Sequence, residues 1–116
     1  MKNLFTLATL VVTLNFTPSS IAGEDSSCHF HGSKPAAESI VVGCANQRRD
    51  ALVKSGKLSP AWTTIKHDQL ALVDGQKGKE WKISFKDVAA QDKTKETLYM
   101  FFTQAGNFIA ANHSGK

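Results

Sequence analysis

The sequence predicts a small α+β domain, one N-terminal helix packed on a roughly four-stranded antiparallel sheet. Three observations carry that expectation. Apolar residues recur at three- and four-residue steps between Pro35 and Ser55, and beyond "KLSPAW" the period shortens to two. Turn residues then divide the alternating part into segments of strand length.

Residues 1–22 read as a secretory signal peptide. Lys2 supplies the positive start, Leu4 to Phe16 form an apolar run broken only by Thr and Asn, and "SIA" closes it with small residues. The run falls short of the ~20 residues needed to cross a bilayer. The expected product therefore carries no stable membrane insertion and resides in the periplasm or is secreted. Cys28 lies too far beyond the apolar run to be a lipid-bearing first residue. Removing 22 residues from 116 leaves about 94, which suits one domain with one modest core. Residues 23–34 form a polar leader, and residues 35–116 form the α+β domain.

In the helical segment Ala37, Ile40, Val41, Cys44, Ala45, Leu52 and Val53 define the expected buried stripe. Ser33 is placed to cap its start, Pro35 fits an early turn, and Gly56 supplies a left-handed terminator. Glu38, Gln47, Arg49, Asp50 and Lys54 read as the solvated face. The first strand is "QLALVDG", residues 69–75, with Asp74-Gly75 as its turn signal. In "KEWKISFKD" Trp81, Ile83 and Phe85 alternate with Glu80, Lys82, Ser84 and Lys86, the pattern of a half-buried strand. A second hairpin spans residues 97–103 and 107–113 around "QAGN". Within "LYMFF", Leu98, Met100 and Phe102 face the helix, which sends Tyr99 and Phe101 to the outer face. That face is either shielded by the "DVAAQDKTK" connector or the N-terminal segment, or it is a contact surface for a protein partner or a second copy.

The formal charge is +4, and +3 once Lys2 is removed with the signal. The lysines are dispersed, the densest group being the edge-guarding turn "GQKGKEWK", so nucleic-acid binding is not expected. No paired carboxylates, phosphate loop or serine elbow occurs, and Cys44 lies mid-helix rather than at a helix N-terminus, so the chain is not expected to be an enzyme. His67 reads as an exposed residue at a strand end and His113 as part of a frayed terminus.

The leader "SSCHFHGS" holds the chemistry. In one reading Cys28 forms a disulfide with Cys44, since an even cysteine count in an exported chain favours pairing. Closing that loop stabilises by on the order of 3 kcal/mol. In another, Cys28, His29 and His31, with or without Cys44, bind copper or zinc through thiolate and imidazole. An extended segment sends His29 and His31 to one side and Cys28 to the other, so a shared ion requires a turn, and Cys44 or His113 as an added anchor. In a third the leader is inert. The first two are nearly exclusive, because a disulfide consumes the thiolates.

The stretches "AAESIVVGCANQRRDALVKSGKLSPAW", "GKEWKISFKD" and "TLYMFFTQAGNFIAANHSGK" resemble a domain-of-unknown-function family of short exported bacterial proteins with a PepSY-like layout. The resemblance implies a PepSY-like or cystatin-like arrangement of one helix on a curved antiparallel sheet, and a binding or inhibitory role without an assigned activity. A His-rich leader ahead of the helix is a frequent feature of that family, and "CHFHG" stands in its place here.

Overall fold

The computed structural model describes residues 28–116. The expected signal peptide, residues 1–22, and the expected leader residues 23–27 lie outside the described residues. The chain runs from the leader into helix α1 (Glu38–Lys54), a 3-10 turn (Pro60–Thr64), and strands β1 (His67–Gly75), β2 (Gly78–Lys86), β3 (Thr97–Thr103) and β4 (Phe108–Asn112). The strands form a single antiparallel meander in the order β1-β2-β3-β4. The α+β expectation of one helix on four strands is met.

Helix α1 starts three residues later than the pattern suggests. Pro35 disfavours helical backbone at Lys34. The Ala36 N–H is also drawn away, donating to the Gln104 carbonyl at 2.9 Å. Ala37 is the N-cap and provides no side-chain acceptor, so Ser33 does not cap the helix. The C-terminus follows expectation: Gly56 sits at φ +82°, while the Gly56 N–H donates to Val53 and the Lys57 N–H to Leu52. Those two bonds satisfy carbonyls that the helix end would leave open, in the Schellman arrangement.

The core lies between α1 and the inner face of β2 and β3. Register places Trp81 against Phe102, Ile83 against Met100 and Phe85 against Leu98, and all six are buried. Val41, Cys44 and Ala45 close over them from α1. Trp62, delivered by the 3-10 turn, completes the core from a segment whose sequence shows no period, and the Trp81 indole N–H is satisfied by the Gln104 carbonyl at 3.2 Å.

Two helix positions differ from the sequence pattern. Ile40, expected on the buried stripe, is 45% exposed because the packed face is centred on Val41 and Ala45. Arg49, expected on the solvated face, is only 7% exposed. The 65–67 connector folds back beside α1, and the Ile65 carbonyl, which has no strand partner, accepts from Arg49 Nη1. Asn46 Oδ1 accepts from the same nitrogen at 3.1 Å, and Asp50 takes Nε at 3.1 Å and Nη2 at 3.0 Å.

The first hairpin also shifts slightly. Gly75 pairs with Gly78 and the two-residue turn is Gln76-Lys77, so Asp74 belongs to the strand, where it pairs with Lys79. Gly78 at φ +133° supplies the backbone conformation the turn requires.

Two substitutions of opposite sign test this packing. Phe85→Ala, at a site with no exposure, is expected to lower unfolding free energy by about 3–5 kcal/mol in urea titration. Gly43→Ala is expected to raise it by about 0.5–1 kcal/mol, since Gly43 lies within α1 and a Cβ there would meet nothing within 4 Å.

Candidate functional site

The leader is held at alternate residues. Cys28 is disulfide-bonded to Cys44 in the middle of α1, with Cα atoms 5.6 Å apart, inside the range such a bridge accepts. Two residues on, the Phe30 N–H donates to Asn107 Oδ1 at 2.7 Å and Asn107 Nδ2 donates to the Phe30 carbonyl at 2.8 Å. One side-chain amide thus occupies both backbone groups of Phe30, as a neighbouring strand would. The Phe30 ring lies on Gly106, where a Cβ would approach ring Cε2 at 3.0 Å, and φ of +104° independently favours glycine there.

Cys28 and Phe30 pack against the core, whereas His29 and His31 are exposed with ring centroids 4.8 Å apart, edge to face. This is the two-sided division that an extended segment imposes. The sulfurs face a groove of about 230 Å³ lined by Cys28, Cys44, Gln47, Arg48, Ala51, Phe102 and Phe108, and neither imidazole lines it. Arg48 covers one wall, its guanidinium carbon 4.1 Å from the Phe108 ring centroid. In this structure the two sulfurs are joined and are therefore not thiolate donors. Among the described residues no group of three His, Cys, Asp or Glu side chains is placed to hold a metal ion.

The other expected participants lie elsewhere. His113 is not frayed: its Nδ1 is 2.8 Å from the Thr97 carbonyl, and its ring is tilted 50° to that of Trp62 at 6.4 Å. That contact is at the opposite end of β3 from the Gln104–Asn107 turn, a strand length of roughly 20 Å, so His113 is no anchor for the leader. His67 is exposed opposite Phe85, towards the same far end of the sheet.

Tyr99 and Phe101 do occupy the outer face, and Phe101 is only 8% exposed. Among the described residues, cover there comes from Lys82 and from the last residues of the chain. Lys82 Nζ stands 4.9 Å from the Tyr99 ring centroid and 5.8 Å from that of Phe101. The last residues fold back over Tyr99, where a Cβ on Gly115 would come within 3.3 Å of the ring. Asn112 Oδ1 produces that fold by accepting from Ser114 Oγ and from the Ser114 and Gly115 N–H groups. This closure depends on residues at the extreme C-terminus, whose small polar composition carries no burial signal.

Fold and site together define a small disulfide-stapled α+β domain that displays two histidines from a clamped leader. The chain belongs to a family of unknown function, DUF6488, whose model matches residues 1–116. No curated protein and no solved structure matches it.

Reduction provides the test of the staple. The bridge spans 16 positions, and opening it is expected to cost on the order of 3 kcal/mol in stability, read as a lower urea midpoint with a dithiol reductant present. Asn107→Ala, with the bridge intact, is expected to remove about 1–3 kcal/mol and to accelerate amide exchange at Phe30 selectively.

Proposed function

We propose that this chain is an exported, non-enzymatic binding module, and that the His29–His31 pair is its presented element, taking copper(II) or zinc(II) through imidazole nitrogen. Export is the reading of residues 1–22, and a bridged cysteine pair suits an oxidising compartment. The alternate clamping of the leader carries the proposal. Cys28 and Phe30 are tied to the domain on either side of His29, so two neighbouring imidazoles are displayed on backbone already ordered by the fold. Ordering a free leader would oppose ion binding, and here folding has met that entropy cost. Imidazole is a donor that both ions accept, whereas copper(I) would favour the thiolates that the bridge has consumed. Two protein donors leave coordination positions for water or for a donor from another molecule.

A disulfide-stapled module that uses the same leader to contact a protein, without metal, is the alternative. The outer sheet face is the poorer surface for a partner or a second copy, because Phe101 is covered within the chain itself.

Calorimetric titration of the oxidised protein separates these. One copper(II) or zinc(II) ion per chain is expected, with at least tenfold weaker binding in His29→Asn and in His31→Asn, and further weakening in acid as protons compete for the ring nitrogens. No uptake by the oxidised protein, or full uptake by both histidine variants, would remove the imidazole site. Binding seen only after reduction would transfer the role to the Cys28 and Cys44 thiolates.

A further inference from the structure

The Cys28–Cys44 bridge joins α1 to the leader rather than α1 to the sheet, and its two ends are unequally buried. Cys44 is 4% exposed in the middle of α1, whereas Cys28 is half-buried in the leader, and both line the groove of about 230 Å³ beside Arg48 and Phe108. We propose that this bridge is a redox latch on the leader: a dithiol opens it in the folded protein, and opening loosens His29 while His31 stays held, which breaks up the imidazole pair. Control of ion binding by the latch rests on the imidazole reading above; the latch itself does not.

The two histidines differ in what holds them. His29 lies between the bridge at Cys28 and the Asn107 amide on the Phe30 backbone. His31 also lies between two ties, but neither is the bridge: the clamped Phe30 precedes it, and the Ala36 N–H, bonded to the Gln104 carbonyl at 2.9 Å, follows it. Cleaving the sulfur bond therefore removes one of the ties on His29 and none of those on His31. The core of α1, β2 and β3 keeps its packing, since reduced Cys44 remains on α1 as a small apolar residue among Val41 and Ala45. Opening is thus a local event, well short of global unfolding.

Thiol–disulfide exchange supplies the step. A thiolate of the dithiol attacks Cys28 Sγ, the sulfur of the less buried partner; a bond forms between the two, and the bridge breaks with its electron pair leaving on Cys44. The second thiolate of the dithiol then attacks the reagent's own sulfur in the mixed disulfide, closes the reagent's disulfide and expels Cys28. Two electrons pass to the bridge, the dithiol is oxidised, and its two protons end on Cys28 and Cys44. Arg48 follows Cys44 by about one helical turn and lines the same groove, and no carboxylate is among the lining residues. The departing thiolate therefore has a cation beside it and no anion.

Metal-free protein labelled with 15N, followed by NMR and thiol counting with and without dithiothreitol, tests the latch. Both cysteines are expected to appear as thiols without urea while the β2 and β3 amides keep their positions. The Cys28 and His29 amides are expected to lose order, and those of Phe30, His31 and Gln104 to Asn107 to keep theirs. Thiols that appear only in urea, loss of the β2 and β3 signals on reduction, an unchanged His29, or equal loosening at His31 would each overturn the latch. Ion control is measured in the double variant Cys28→Ser/Cys44→Ala, which lacks the bridge and has no thiolate to bind or reduce copper. Its copper(II) affinity is expected to lie about five- to thirtyfold below that of the oxidised protein, the effect of having to order one more residue. Equal affinity would remove the gating of the site. If the oxidised protein takes up no ion, the imidazole reading fails, and the NMR result still decides the latch.

Discussion

The Cys28–Cys44 bridge joins the segment before the helix to the middle of the helix, and so ties the leader to the core through the same residue that packs there. Cys44 is 4% exposed between Val41 and Ala45, which means one sulfur is part of the packed stripe while the other belongs to the leader. A domain of this size buries a small core, and a covalent loop closure compensates by limiting the unfolded chain. The bridge also selects what is displayed. With Cys28 turned inward and Phe30 secured by Asn107, alternation along extended backbone turns His29 and His31 outward.

The Gln104–Asn107 turn is the second centre of organisation. Gln104 accepts from both the Ala36 N–H and the Trp81 indole, Gly106 receives the Phe30 ring, and Asn107 pairs with the Phe30 backbone. A single hairpin turn thereby sets where α1 begins, satisfies a buried indole and holds the leader. At the opposite end of the sheet, Arg49 does comparable work by fastening α1 to the connector through Ile65. The two ends carry different chemistry, an imidazole pair at one and the Arg49 cluster with Asn46, Asp50 and the Ile65 carbonyl at the other, with the aromatic core between them.

Elements with strong periodicity were legible from the chain. Trp81, Ile83 and Phe85 alternate with polar residues over enough positions that both strand and face follow, and the helix termination at Gly56 rests on local backbone chemistry alone. Arg49 was not legible, because its burial arises from a carbonyl sixteen residues away that becomes available only when the connector folds back. Trp62 was hidden for a related reason: a five-residue 3-10 turn is too short to show a period. The cover over Tyr99 comes in part from a terminal Asn-centred turn, which composition does not distinguish from a loose end.

The sequence by itself determined the α+β class, the inner-face residues of β2 and β3, the helix stop and the division of the leader into inward and outward residues. Each of these depends on the fixed periods of helix and strand or on one residue's own conformational range. Only the tertiary structure decided that the two cysteines meet, that Asn107 clamps Phe30, that Arg49 is buried and that His113 lies away from the leader. Those outcomes depend on which distant backbone groups are left without a partner once the sheet has formed, a quantity that exists only in the assembled fold.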